Sequence, residues 1–250
     1  MESLLNSPHL VFLISFFVLW FAAWAGGRLQ QWRKLDQDLR SDFTVVQGAT
    51  LTLLGLIIGF TFSMAIARYD QRKTYEEAEA NAIGTEYARA DLLPQADAAK
   101  IRDLLRRYTD LRISFYEMRD HEKLKEIAQE RALMQEQLWQ TVVGPATSQP
   151  SPVTTLAVAG MNDVLNSQGY TQAAWWNRIP ESAWGLMFLI AIFANLLLGY
   201  GAKKLQSRLF IVLPLVVSIS FFLIADIDSP RRGIIRVHPQ NLESLRDSLR

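Results

Sequence analysis

The residues that could carry chemistry are few in this chain of 250 amino acids, which contains no Cys. Its three histidines, His9, His121 and His238, are far apart in the sequence. The motifs typical of zinc proteases, serine hydrolases and nucleotide-binding loops do not occur. Thiol, iron–sulfur and cysteine–zinc chemistry is therefore excluded. The sequence predicts that the chain is not an enzyme and needs neither a metal nor a cofactor.

The sharpest acidic pair is Asp226 and Asp228, which follows the last apolar stretch directly. One interpretation is a helix end that meets lipid headgroups. The other is a cation or gating site at the membrane edge. Because the apolar stretches themselves contain no charged side chain, a proton-coupled transporter is disfavoured, since such proteins need an ionisable group inside the membrane.

Small and polar residues set the second apolar stretch apart from the others. Gly48, Thr52, Gly55 and Gly59 recur at steps of three or four residues. Small residues at this spacing allow two helix backbones to approach closely in a membrane. Ordinary helix packing is therefore one explanation of the pattern, and a helix that faces a pore is the other.

A second line on the same predicted helix consists of Thr52, Leu56 and Phe60, at four-residue steps. Apolar side chains arranged around a narrow axis can gate an ion pathway by dewetting, and we expect these three residues to line a pore. Arg68, Arg72 and Lys73 follow the stretch and would concentrate anions at its mouth. Anchoring of these three basic side chains in the headgroup layer is the alternative.

Composition and patterning indicate the elements that position these residues. The net charge is +1 and half of the residues are hydrophobic, which argues against binding nucleic acid through bulk charge. The apolar residues fall into four stretches, each close to the roughly 20 residues needed to span a bilayer. The sequence therefore predicts transmembrane helices at about 10–26, 43–67, 183–202 and 209–225.

Residues 68–182 are predicted to form helices outside the bilayer. The second spanning helix continues without a breaker to Pro94, where the preceding residue disfavours helix. Apolar residues at three- and four-residue spacing predict further helices at about 96–118 and 122–142. A short one is expected at 153–165, after a Pro- and Ser-rich linker. Their apolar surface looks too small for an independent soluble domain, so we expect one membrane-integrated all-α unit over residues 1–250.

Four sequence runs point to a family. Gly59-Phe60-Thr61-Phe62-Ser63 is followed by Arg68-Tyr69, then by EANAIGT and RADLLP. The tail begins Asp226-Ile227-Asp228-Ser229-Pro230 and continues to Gly233. Over about half of the chain, these runs resemble the bacterial bestrophin-like family, membrane proteins distantly similar to the bestrophin anion channels.

The resemblance implies a pentameric anion channel in which the second span lines the pore. Phe60 and Leu56 would then form an apolar neck, with Thr52 one turn further along. The chain would associate with itself in the lipid bilayer and conduct chloride or another small anion. A multi-pass protein of the bacterial inner membrane is expected. The bestrophin Trp is replaced by Ile83 and the Phe after Pro230 by Arg231, so the calcium site of bestrophins is not implied.

Two questions stay open at the level of sequence. A non-conducting membrane scaffold or sensor, whose extramembrane helices bind a partner or ligand, is the alternative to a channel. The side of the membrane that residues 68–182 face is also open, because the spans are flanked by equal numbers of basic residues on both sides. In the two short loops, these are Arg28, Arg33, Lys34, Arg40, Lys203, Lys204 and Arg208.

Overall fold

The computed structural model describes residues 7–32, 39–202 and 209–249. The described residues form eight α-helices and one 3₁₀ turn, and no strand occurs among them. The helices are α1 Pro8–Trp32, α2 Arg40–Arg89, α3 Gln95–Glu117, α4 His121–Ser148, α5 Pro152–Trp176, α6 Glu181–Gly201, α7 Leu209–Asp228 and α8 Gln240–Ser248; the 3₁₀ turn is Ala90–Leu92. The predicted all-α class is confirmed. The loop residues Arg33, Lys34, Lys203, Lys204 and Arg208 lie outside the described residues.

Four stretches of the described chain are long and apolar enough to cross a bilayer, as the sequence predicted. They lie in Pro8–Trp32, Arg40–Leu92, Pro152–Gly201 and Phe210–Asp228. Helix α7 continues through Pro214, which membrane helices tolerate better than soluble ones. The protein is therefore an all-helical membrane protein.

The chain divides into two compact units. The membrane unit comprises the residues up to Arg68 together with Arg178–Arg236, and the extramembrane unit comprises Tyr69–Asn177 and Val237–Arg250. Helix α2 contributes to both, because it runs unbroken from Arg40 to Arg89. This continuity agrees with the absence of a helix breaker before Pro94.

Close helix packing in the membrane unit occurs between α1 and α6. A Cβ atom at Gly26 would clash with the backbone carbonyl of Leu196, and one at Gly199 would clash with that of Ala23. Glycine is therefore required at both positions, because only glycine lets the two backbones come this close. Helix α7 also packs on α1, where Phe222 contacts the rings of His9 and Phe12.

The extramembrane unit has a hydrophobic core of its own, which is larger than the sequence pattern suggested. Ile101, Leu105 and Tyr108 of α3 are fully buried in it, together with Leu138 of α4 and Met161 of α5. Helix α5 begins at the Ser151 cap, whose hydroxyl accepts the N–H of Thr154. It continues to Trp176, well beyond the short helix that the sequence predicted at 153–165.

Candidate functional site

Three threonines in the membrane half of α2 form side-chain hydrogen bonds within their own helix. The hydroxyls of Thr50, Thr52 and Thr61 donate to the carbonyls four residues earlier, at 2.8, 2.9 and 2.8 Å. A polar side chain bonded in this way needs no partner from another helix. This half of α2 can therefore be polar in sequence and still face lipid, a pore or another copy of the chain.

Thr52, Leu56 and Phe60 lie along one stripe of α2 and are all exposed in the single chain. The side chains of Leu56 and Phe60 are 53% and 63% exposed. Each candidate span contains one most apolar stretch of 18 residues. In the second span, the chain buries 17% of this stretch, whereas it buries 39%, 33% and 44% in the first, third and fourth spans. The second span is therefore the one that this chain covers least.

The glycines of this half of α2 do not pack against the described chain. A Cβ atom at Gly48, Gly55 or Gly59 would meet no atom within 4 Å. Their spacing therefore does not serve packing within the described chain, and both packing between copies and a pore stay open as explanations of the sequence pattern.

The three basic residues after the span have different surroundings. Lys73 is exposed and Arg68 is partly buried. Arg72 is fully buried, and its Nε and Nη2 donate to the carbonyls of Ala174 and Asn177 at 3.2 and 3.4 Å. Guanidinium groups are favoured at a helix C-terminus, where carbonyl groups lack helical partners. The charge of Arg72 is thus used inside the extramembrane unit, whereas the sequence suggested an open mouth.

Asp226 anchors the segment that follows α7. Its two carboxylate oxygens accept the backbone N–H groups of Ile234 and Ile235 at 2.7 and 2.8 Å. The segment passes so close to α7 that a Cβ atom at Gly233 would clash with the carbonyl oxygen of Asp226. Asp226 and Gly233 of the tail motif therefore serve one tight turn.

Asp228 anchors the segment before α6. Its carboxylate accepts the N–H of Ile179 at 3.2 Å and forms an ion pair with Arg178 at 3.4 Å. Both aspartates are buried and face hydrogen-bond donors, which is the opposite of a cation site, where several oxygens converge on one ion. Among the described residues, no three His, Asp or Glu side chains come together as metal ligands would.

A buried polar layer crosses the extramembrane unit and was not predicted. Glu79 of α2 forms an ion pair with Arg112 of α3 and accepts the hydroxyls of Thr171 and Tyr116 at 3.0 and 3.4 Å. Both charged side chains are fully buried. Burial acts to lower the pKa of Arg112, but the neighbouring Glu79 carboxylate raises it, and the net pKa is raised. Arg112 therefore keeps its positive charge beside Glu79.

One signal in the sequence could have located this layer. Arg112 lies seven residues after Leu105 and four after Tyr108, both of which belong to the apolar stripe of α3. A residue at that spacing shares the buried face. The sequence analysis assigned the charged residues of these helices to a solvated face instead.

A second buried carboxylate binds the C-terminal helix. Glu76 accepts the backbone N–H groups of Asn241 and Leu242, each at 2.9 Å, and the side-chain amide of Asn241. It therefore caps the N-terminus of α8, where N–H groups lack helical partners. Burial raises the pKa of Glu76, while these hydrogen bonds lower it. Helix α8 was not predicted from the sequence.

The fold and the four apolar spans define an all-helical multi-pass membrane protein. The family model of the Bestrophin-like domain matches residues 13–242. The chain therefore belongs to the Bestrophin-like family, as the motifs in its second span and tail suggested. No curated protein matches the chain by sequence.

Solved structures of bacterial relatives have the same fold. A bestrophin homologue from Klebsiella pneumoniae superimposes with a TM-score of 0.66 at 11% identity, over 96% of this chain and 96% of the homologue. A variant of it gives a TM-score of 0.64 at 11% identity, over 95% and 97% of the two chains. At such low identity, the likeness establishes the fold and leaves the roles of individual residues to be argued from this chain.

Proposed function

We propose that this protein is a homo-oligomeric ion channel that conducts small anions, with the membrane half of α2 lining the pore. The observation that carries the proposal is the low coverage of the second span, of which 17% is buried by its own chain. The other three candidate spans are covered about twice as well. A span that its own chain leaves open is expected to face other copies, a pore, or both.

The small uncovered residues fit a contact between copies around a shared axis better than they fit lipid. Gly48, Gly55 and Gly59 have open space around them, and Thr52 is exposed beside them. Lipid-facing surfaces are usually covered by large apolar side chains, whereas small residues occur where helices meet. The exposed rings and chains of Phe60 and Leu56, repeated around a symmetry axis, would form a narrow apolar neck.

The positive charges that follow the second span are consistent with a pathway for anions. Lys73 is exposed and Arg68 is partly exposed, so both can act on an ion electrostatically. Arg72 is buried against the end of α5, and we assign it a structural role. We also assign anchoring roles to Asp226 and Asp228. Asp226 holds the segment after α7 and Asp228 holds the segment before α6, and the positions of these segments would influence gating.

The test is anion efflux from liposomes that contain the purified protein. Phe60→Ala widens the proposed neck, so we expect faster efflux than with the native chain. Phe193→Ala is the matched control, because Phe193 is also an exposed Phe on a candidate span, α6, with 53% exposure. We expect no change in efflux for this control.

The outcomes separate the parts of the proposal. Efflux that is equal in the native chain and both variants would keep the channel and reject the neck at Phe60. No efflux from any of them, with oligomers present, would reject the channel and favour a non-conducting scaffold or sensor. Because the native chain has no Cys, labelling of single cysteines at Thr52, Leu56 and Phe60 by water-soluble thiol reagents would test the stripe directly.

A further inference from the structure

Glu86 is a buried carboxylate to which neither the polar layer nor the cap of α8 assigns a role. It lies on the extramembrane half of α2 and is 0% exposed. Among the described residues, no donor forms a hydrogen bond with either of its oxygens. A buried carboxylate without donors is strongly disfavoured when it is charged. Glu79 and Glu76, on the same helix, each have several donors.

The Glu86 carboxylate lies directly against the backbone of α5. A Cβ atom at Gly160 would clash with Glu86 Oε2 and also with the guanidinium of Arg89. Glycine at position 160 thus creates the space into which the carboxyl group fits. Arg89 itself donates to the carbonyl of Leu156 on α5 at 3.4 Å. Both Glu86 and Arg89 therefore join α2 to the same two turns of α5.

The charges around Glu86 come from two elements. Burial raises the pKa of Glu86 to about 8; Arg89 on its own helix lowers it, and Asp163 on α5 raises it. Glu86 is therefore mainly neutral at pH values below this and becomes charged above it. A neutral carboxyl group fits a contact with the backbone, whereas a charged one without donors does not.

We propose that Glu86 is a proton site that fastens α5 to the extramembrane half of α2 when it is neutral and releases it when it ionises. The neutral group fills the space at Gly160. The ionised group must reach water, and to do so it must separate the two helices locally. The effect on conduction rests on the proposed function, since the same helix α2 would line the pore. The proton site itself does not depend on conduction.

The raised pKa of Glu86 determines whether the folded chain gains or loses stability as the pH rises. The pKa of Glu86 is about 8 in the folded chain against 4.5 for an ordinary Glu. Its contribution to stability is then fully present below about pH 4.5 and is lost as the pH rises towards 8. Alkaline conditions should therefore loosen the contact between α2 and α5.

The experiment measures the exposure of α5 with one introduced thiol. Ala157 is fully buried on α5, one turn before Gly160, and the native chain has no Cys. Ala157→Cys is labelled with a thiol reagent in the full-length protein, with and without Glu86→Gln. The Gln side chain has nearly the same shape and never ionises. The ratio of the two rates cancels the ionisation of the thiol itself.

We expect this ratio, Glu86 over Gln, to rise nearly a hundredfold between about pH 6 and about pH 9, because the ionised fraction of a group with a pKa of about 8 grows from about 1% to about 90% over this range. A ratio that stays constant with pH would overturn the proposal. Val142→Cys is the control for general loosening, since Val142 is equally buried, on α4. A rise of equal size at both sites would also overturn it.

Two further variants test how the charges near Glu86 shift the pH midpoint of labelling. In Asp163→Asn a like charge is removed, so the midpoint of the labelling profile should move to lower pH. In Arg89→Gln an opposite charge is removed, so the midpoint should move to higher pH. Asp163 is exposed, so its variant should fold even if Glu86→Gln does not. Midpoints unmoved by either change would contradict a proton site at Glu86. Because the assay does not use ion flux, it can fail or succeed independently of the channel.

Discussion

In soluble proteins, charged side chains are usually exposed and large apolar side chains are usually buried. Several residues in the two halves of helix α2 show the opposite arrangement. In the extramembrane half, the charged residues Arg72, Glu76 and Glu79 are at most 1% exposed. In the membrane half, Leu56 and Phe60 are 53% and 63% exposed. One unbroken helix thus buries several charged side chains at one end, although Lys73 there is exposed, and exposes large apolar side chains at the other. The difference teaches that the chain supplies partners for the extramembrane half of α2 and leaves the membrane half to lipid or to other copies.

The largest effect is expected from breaking the buried pair in the charged half. Arg112→Leu leaves the Glu79 carboxylate buried without its cation, which typically costs about 3–5 kcal/mol. Thermal unfolding in detergent, followed by circular dichroism, measures the loss. Adding Glu79→Leu should recover much of the stability, because two apolar residues can replace a buried pair. A single variant as stable as the native protein would contradict the assignment.

A smaller loss is expected from the cap of α8. Glu76→Ala removes the acceptor of the Asn241 and Leu242 N–H groups. Unpaired donors of this kind cost about 1–3 kcal/mol. Hydrogen exchange should then accelerate in residues 240–248 and stay unchanged in α4. Protection of α8 equal to that in the native chain would show that Glu76 does not hold it.

The smallest effect is expected in the membrane half. Gly55→Ala meets open space, and Ala favours helix over Gly by about 1 kcal/mol or less. We therefore expect the folded single chain to be as stable as before, or slightly more so. Gly199→Ala, which clashes with the backbone of α1, is the matched comparison and should destabilise the chain by about 1–3 kcal/mol.

Gly55→Ala also tests whether the membrane half of α2 contacts other copies of the chain. If other copies pack on the membrane half of α2, Gly55→Ala should weaken the oligomer in cross-linking while the single chain stays folded. Unchanged oligomers and unchanged ion flux would show that this face of α2 is not an interface between copies.

Local features made much of the fold predictable. The spans expected at 10–26, 43–67, 183–202 and 209–225 correspond to α1, the first half of α2, α6 and α7, because long apolar stretches depend little on distant residues. The helix expected at about 96–118 is α3, Gln95–Glu117. Helix α5 was underestimated: its second half mixes polar residues such as Gln168 and Thr171 with apolar ones, and both are buried.

The candidate site was less predictable, because its contacts join distant parts of the chain. Thr52, Leu56 and Phe60 could be placed on one stripe from their spacing, whereas their role in a pore remains a prediction. The surroundings of Arg72 could not be foreseen, since its partners are carbonyls about a hundred residues away. Backbone carbonyls carry no sequence signal, so an arginine that binds them resembles any other.

By itself, the sequence determined the class of the protein: an all-helical, four-span membrane chain whose motifs point to the Bestrophin-like family. Hydropathy and helical spacing are properties of neighbouring residues, so they can be read along the chain. The tertiary structure alone decided which charges are buried, that Glu76 holds α8, and that Glu86 lies against Gly160. Those outcomes depend on the pairs Glu79–Arg112, Glu86–Gly160 and Glu76–Leu242, which are 33, 74 and 166 residues apart. A buried ionisable group is stable only where the folded chain brings a partner to it or leaves it neutral.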